Sequence, residues 1–332
     1  MRSVAGAPLT ARTDAAQRRG RPGIAAVARA VPPRVVANEE IASRLGVDGA
    51  WITTRTGIAQ RRHAAPDATL VELAADAAAV ALGRAGVEAE EIDQVLVATS
   101  TPDDLLPNAA PLVAERIGAN RAGAMDVGAA CTGFLAALEL GAASVESGRV
   151  ASSLVIGADL MSRILDFDDR RTAGLFGDGA GAVVVVPGGA GAIGPIRLRA
   201  DGAGATHVSA AHGGKVRMDG RATFRAAVAR LCEATLEVTA EADLELEQID
   251  LFVYHQANSR ILAAVGERLG LPADRVVDSL ARYGNTSAAS VPIALDEAIA
   301  DGRVRPGSKV VVGAFGAGLM WGAGIVDWGG AE

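Results

Sequence analysis

The chain is written twice. Gly-Ala-Ala-Cys131-Thr-Gly opens an Ala-rich helical stretch that runs to Gly148-Arg-Val and then Leu-Val-Ile-Gly157-Ala. Tyr-Gly-Asn285-Thr-Ser-Ala opens a similar stretch that runs to Gly302-Arg-Val and then Val-Val-Val-Gly313-Ala. Cys131 and Asn285 lie 154 residues apart, as do Gly148 and Gly302, while Glu-Glu-Ile92-Asp recurs as Glu-Gln-Ile249-Asp at a separation of 157. A repeat this long is a duplicated domain and not a solenoid. On this alignment Cys131 and Asn285 occupy equivalent positions, and a composite nucleophilic site is expected between the copies.

The 332 residues, 50% hydrophobic and 21% charged, suffice for two similar subdomains sharing a core. The expected division is an N-terminal half over 23–190, carrying the cysteine, and a C-terminal half over 191–332, carrying His and Asn. Residues 1–22 hold Arg2, Arg12, Arg18, Arg19 and Arg21 without an apolar stretch. They read as a disordered basic extension. A net charge of −7 argues against a general nucleic-acid binder. The only cysteines, Cys131 and Cys232, make neither a disulfide framework nor a zinc spacing, so no metal is expected. The longest uncharged apolar run, Val310–Val326, contains five glycines. It is short for a spanning helix and reads as two buried strands joined by a Gly-rich turn. The expected location is the cytoplasm, away from membranes.

Strands are expected at Gly23–Val31, Val95–Thr99, Ala124–Val127, Leu154–Gly157, Val183–Val186, Leu251–Tyr254, Val276–Asp278 and Val310–Val312. Helices are expected at Leu70–Ala85, Pro107–Ile117, Thr132–Ser147, Ala222–Ala240, Asn258–Leu269 and Ser287–Ala300. The glycines between Leu175 and Ala182 read as a tight turn. Alternating helices and apolar strands imply two parallel-rich sheets with helices outside and between them, an α/β protein layered α-β-α-β-α. The helices after Cys131 and Asn285 should form the shared central layer.

Cys131 begins a helix among small residues, where unpaired N–H groups favour thiolate. Its position alone leaves it open between a nucleophile and a buried structural thiol. Cys232, inside an amphipathic helix, reads as core. His255 ends an apolar strand, where open α/β sheets place their sites. Asn285 is either a helix cap or an amide that polarises a carbonyl, since it cannot take a thiol proton. Cys, His and an amide together form a nucleophile constellation. Gly316-Ala317-Gly318 would let backbone N–H groups approach a ligand oxygen.

These segments resemble β-ketoacyl-ACP synthase III, of the thiolase-fold condensing enzymes, over residues 23 to 328. The resemblance is carried by Trp51-Ile-Thr-Thr-Arg-Thr-Gly-Ile, Ala-Ala-Cys131-Thr-Gly-Phe, Phe176-Gly-Asp-Gly-Ala-Gly-Ala, His255-Gln-Ala-Asn-Ser-Arg260, Gly284-Asn-Thr-Ser-Ala-Ala-Ser-Val-Pro and Ala314-Phe-Gly-Ala-Gly-Leu-Met-Trp-Gly. It implies a thiolase-like five-layered sandwich and a catalytic triad of Cys131, His255 and Asn285, with an oxyanion hole from the backbone N–H groups of Cys131 and Ala317. It implies acylation of Cys131 by acyl-CoA, then decarboxylative condensation with malonyl-acyl carrier protein to start a fatty acid. Coenzyme A would be met by Trp51, Arg55 and Arg170. The carrier protein would be met by Arg225, Gln256, Ala257, Asn258, Ser259 and Arg260. Leu106, Leu175 and Leu319 would line the acyl pocket. A homodimer is implied, with Leu105-Leu106-Pro107 reaching the partner's pocket, and no cofactor beyond the coenzyme A thioester as substrate. The alternative is a polyketide-priming ketosynthase, or an acyltransferase of secondary metabolism, with the same triad. Three departures bear on the acyl group: Ala317 stands where glycine is usual, Leu106 where an aromatic is common, and Asp201–Met218 is short.

Overall fold

The computed structural model describes residues 20–329, so the expected basic extension lies, up to residue 19, outside the described residues. The chain opens with β1 (Pro22–Ala30), β2 (Val35–Ala37), α1 (Asn38–Leu45), α2 (Gly49–Thr56), β3 (Gln60–Arg62), α3 (Leu70–Ala85) and β4 (Gln94–Ala98). Next come α4 (Ala109–Ile117), β5 (Gly123–Val127), α5 (Gly133–Glu146), β6 (Ser153–Leu160), β7 (Asp178–Pro187), β8 (Gly191–Ala200), β9 (Val208–Ser209) and β10 (Arg217–Met218). The last elements are α6 (Gly220–Glu241), β11 (Leu251–Tyr254), α7 (Ser259–Leu269), α8 (Leu280–Tyr283), α9 (Ser290–Ala300), β12 (Lys309–Gly316) and β13 (Met320–Asp327).

Local chemistry explains the helix ends. Thr69 and Glu72 close a reciprocal capping box at the start of α3, and Gly86 ends it at φ 63°. The helix expected from Pro107 begins at Ala109, where Asp126 accepts the N–H groups of Ala109 (3.0 Å) and Ala110 (2.7 Å).

The strands form two half-sheets, β5-β4-β6-β7-β1 and β8-β13-β12-β11. The expected two sheets are in fact joined: β1 pairs with β8 at Gly23–Ala192 and Ile24–Gly191, giving one nine-stranded order. Glycine permits this seam, because a Cβ on Gly23 would lie 2.3 Å from the Gly189 carbonyl oxygen. Helices α3 and α4 cover one outer face, α6 and α7 the other. Between the half-sheets, Phe134 and Leu138 of α5 and Val291 and Leu295 of α9 share one core with Leu96 and Val155 on one side and Val253 and Val312 on the other. The layers therefore run α-β-α-β-α.

Several sequence expectations are corrected. The glycines before Val183 are not a turn, since β7 already starts at Asp178. They are absent side chains: a Cβ on Gly181 would lie 2.7 Å from the Cβ of Pro292, so glycine lets α9 rest directly on the strand. The strand expected at Val276–Asp278 is reduced to a bridge between Phe252 and Val276. Gln256 takes over the bonding there, donating to Val277 O (3.0 Å) and accepting from Ser279 N (2.8 Å). Strand β8, rich in Gly and Ala at its start, was not expected.

The repeat is also re-registered. Ala130 and Ser287 both have left-handed φ, 46° and 51°, in short 3-10 turns that feed α5 and α9, and they are 157 residues apart. Because α5 has 14 residues and α9 only 11, the closing glycines Gly148 and Gly302 fall back to 154. Cys131 is thus equivalent to Ala288, and Asn285 to Gly128. Almost one helical turn is missing from the second copy, and that slipped the sequence alignment by three residues.

Candidate active site

Cys131 sits in the 3-10 turn Ala130–Thr132 between β5 and α5. Thr132 Oγ1 donates to Ala129 O at 2.5 Å and fixes the turn. Gly316, at the end of β12, backs onto it: a Cβ there would lie 2.9 Å from Cys131 N. Glycine therefore lets the second half bring its backbone against Cys131. Ala317 follows. Among the described residues the non-glycine positions of positive φ are Ala130, Asp243 and Ser287, so the alanine replacing the usual glycine is not strained. Burial pushes the Cys131 thiol up to about 11, and the Ser287 hydroxyl, 3.6 Å from Sγ, pulls the other way. Burial thus acts against the lowering expected from the helix start.

His255 follows β11, its N–H donating to Gly313 O at 2.7 Å. Its Nδ1 is 2.9 Å from Ser290 Oγ, which also accepts the Gln256 N–H at 2.6 Å. The Ser290 hydroxyl has its proton available for Nδ1, an arrangement that would leave the ring's hydrogen on Nε2. Burial holds His255 down to about 4, so it is neutral at physiological pH. Asn285 is held from three sides. Its N–H donates to Leu175 O (2.9 Å), its carbonyl accepts from Gly177 N (3.0 Å), and Oδ1 accepts from Ser287 N (2.9 Å). Its Nδ2 remains as a donor.

Cys131, His255, Asn285, Gly316 and Ala317 line one cavity of about 860 Å³. Thiol, imidazole and amide are thus brought together. Trp51, Arg55 and Arg170 line the same cavity; the Arg55 guanidinium lies 4.3 Å over the Trp51 ring and Arg170 Nε donates to Leu45 O (3.0 Å). Arg225, Ala257, Asn258 and Arg260 are at its mouth, and Asn258 caps α7. Ser259 packs under Gly57. Gln256, grouped with these by sequence, is instead buried, with its amide bonded to Tyr254 O, Val277 O and Ser279 N. Leu175 is a cavity wall. Leu319 is not, since it packs against Gly204. Leu106 lies outside the cavity and is 79% exposed.

Sequence reasoning missed Ser287, Ser290 and Asp159, as well as the apolar walls Met161, Ile164 and Phe315. The spacing Asn285-Thr-Ser287-Ala-Ala-Ser290 carried a signal, because residues three apart share a helix face. Among the described residues no cluster of His, Cys, Asp or Glu could hold a metal, and no helix is long and apolar enough to cross a membrane.

A cysteine from one copy of a duplicated five-layered fold, sharing a cavity with an imidazole and an amide from the other, is the arrangement of thiolase-fold condensing enzymes. Residues 125–202 match the sequence model of 3-oxoacyl-[acyl-carrier-protein] synthase III, and residues 239–328 match that of its C-terminal part. The chain is 43% identical to a β-ketoacyl-[acyl-carrier-protein] synthase III of Nostoc over 90% of its own length and 96% of the relative's. A crystal structure of such an enzyme from Thermus thermophilus superposes with a TM-score of 0.89 at 44% identity, over 93% of this chain and 100% of that one. The priming β-ketosynthase of the R1128 polyketide pathway superposes with a TM-score of 0.89 at 36% identity, over 98% of both chains. The chain belongs to the β-ketoacyl-ACP synthase III family, and it is an acyltransferase of the condensing type.

Proposed function

We propose that Cys131 attacks an acyl-CoA thioester and keeps the acyl group, and that malonyl-acyl carrier protein then enters the same cavity. The observation that carries this reading is the single cavity shared by Cys131, His255 and Asn285. The N–H groups of Cys131 and Ala317 would hold the tetrahedral oxyanion. His255 Nε2–H and Asn285 Nδ2–H would hold the enolate left as carbon dioxide departs, and its carbon attacks the acyl-Cys131 carbonyl. An imidazole held down to about 4 is a weak base, and with its hydrogen on Nε2 it would serve as a donor. An adenine would slot against Trp51, where Arg55 already stacks, with Arg170 alongside. Arg225 and Arg260, both exposed at the cavity mouth, would meet the acidic carrier.

The same reading includes a homodimer. β5 is a sheet edge, and Met125 on it, with Leu140, Leu105 and Leu106, is exposed, an arrangement a second copy would cover. A cytoplasmic location accords with two free thiols. The test is carbon dioxide release from malonyl-acyl carrier protein. Release that requires a prior acyl-CoA supports the reading, and release indifferent to acyl-CoA refutes it. The likeness to the priming ketosynthase keeps a polyketide-priming role as the second reading. Equal use of a polyketide carrier protein and a fatty-acid carrier protein in that assay would favour it.

A further inference from the structure

A charged side chain taken wholly out of water costs stability unless every bond it makes is well placed. Arg61, in β3, is fully buried. Its hydrogen bonds end on neutral oxygens: Nη1 donates to Asn38 Oδ1 (2.8 Å) and Val36 O (3.3 Å), and Nη2 donates to Gly174 O (2.6 Å). Burial brings the guanidinium down to about 10, while the charges of Glu39 and Glu40 pull it back up. An arginine held this way contributes the shape of its planar fork.

The fork joins the two segments that flank the proposed adenine slot. On one side Asn38, itself buried, passes the contact on. Its Nδ2 donates to Thr53 Oγ1 (2.8 Å) and Gly49 O (3.3 Å) of α2, and to Ile58 O (2.6 Å) just past the helix. Helix α2 carries the cavity walls Trp51 and Arg55. On the other side, Gly174 belongs to the segment that brings Arg170 and Leu175 to the same cavity. The two segments also touch directly: a Cβ on Gly174 would lie 3.1 Å from Ile52 Cγ2, so glycine lets α2 rest on that segment. Arg61 lies behind both and is not a cavity wall.

We propose that Arg61, together with Asn38, is a positioning residue that sets Trp51 against Arg170 and so governs how the nucleotide end of an acyl-CoA is gripped. The proposal rests on the reading of Trp51, Arg55 and Arg170 as the coenzyme A contacts. Helix α2 has eight residues, too few to hold an orientation unaided. Asn38 ties its first turn, its middle and the residue two past its end to the start of α1. Arg170 is tied to the other end of α1, through Leu45 O (3.0 Å). Both sides of the slot therefore hang on α1, and the Arg61 fork closes the frame between Asn38 and Gly174.

The stem of Arg61 has a further neighbour. A Cβ on Gly284, the residue before Asn285, would lie 3.2 Å from the Arg61 Cβ, so a change of stem also reaches the turn that carries the amide. Asn38 meets the opposite end of the side chain, and a change there leaves the stem in place.

The test compares two donors of the same acyl group: acyl-CoA, and acyl-pantetheine, which ends before the nucleotide. The rate at which each acylates the protein, per unit donor concentration, is read as a mass increment on the intact chain. Both donors meet the same sample, so the folded fraction cancels in their ratio. The wild-type protein should favour acyl-CoA by about 10–10²-fold, the usual worth of a base stacked on an aromatic ring, and Trp51→Ala should remove most of that preference. Arg61→Lys, which keeps the charge without the fork, and Asn38→Ala should each lower the ratio about fivefold. Neither should lower it further when added to Trp51→Ala, because a positioning residue then has nothing to position. A ratio unchanged in Asn38→Ala overturns the proposal, as does one unchanged in Arg61→Lys. So does a full fivefold fall on top of Trp51→Ala, which would mark a general structural loss. Where Arg61→Lys does not fold, Asn38→Ala decides alone. A wild-type ratio near one overturns the coenzyme A contacts themselves, and the proposal with them.

Discussion

The turn at Ala130–Thr132 and the turn at Ser287–Ala289 share a backbone and divide the chemistry between them. Each starts on a left-handed residue, and each feeds a helix of the central layer. In the register set by those residues, Cys131 faces Ala288 across the repeat, Ser287 faces Ala130 and Asn285 faces Gly128. His255 corresponds to Ala98 and Ser290 to Gly133. In the first copy a Cβ on Gly133 would sit 3.0 Å from the Cβ of Ala98; in the second, the same two positions carry the 2.9 Å contact between His255 and Ser290. Each of these five polar residues thus stands opposite a glycine or alanine. The duplication supplied the scaffold twice, and each copy gave up its side chains where the other needed room.

The sharpest way to break this division is Cys131→Ala, which makes the two turns alike at that position. Acyl-enzyme formation, read as a mass increment on the intact protein, should fall at least about 10³-fold. Asn285→Ala should spare that increment and lower condensation by about 10²–10³-fold, the usual loss for one oxyanion donor. Equal loss of both steps would show the amide to be structural. The His255 position carries a pH signature. Its folded pKa of about 4 lies below the ordinary 6.5, so the unfolded chain binds more protons between those values. Stability present above pH 6.5 should decline by about 3 kcal/mol as pH falls to 4, and urea unfolding of His255→Gln should lack that component. Gly157→Ala tests the contact between copies, because the new Cβ would meet Ala288 O at 2.3 Å. It should destabilise by about 1–3 kcal/mol in urea unfolding and slow acylation by displacing Ser287. The smallest effect is expected of Ser290→Ala, which frees the imidazole and strips Gln256 N–H of its acceptor. Condensation should fall about tenfold with acylation unchanged.

The layered fold, and the meeting of Cys131, His255 and Asn285 in one cavity, were legible because each rests on local chemistry. The capping box at Thr69, the glycine stops, and the motifs around Cys131, His255 and Asn285 all lie within a few residues of what they specify. Asp159 and Ser287 were not legible, since they matter only through contacts between chain segments more than a hundred residues apart. Gln256 and Leu319 were misplaced for a related reason. Both neighbour site residues in sequence, but their side chains turn inward, Gln256 to the frayed sheet edge and Leu319 to Gly204. Duplication itself was legible, but its register was not, because the shortened α9 shows only when both helix starts are seen in three dimensions.

The approach of Gly316 to the nucleophile has a consequence for biosynthesis. When a nascent chain has just exposed Cys131, the strand that backs it and the turn bearing Asn285 and Ser287 are still to be translated. On the proposed reading the sulfur therefore leaves the ribosome without the groups that complete its site, and it gains them only when nearly the last strand docks. On that reading competence comes as the final event of folding, and truncated or half-folded chains should be inert.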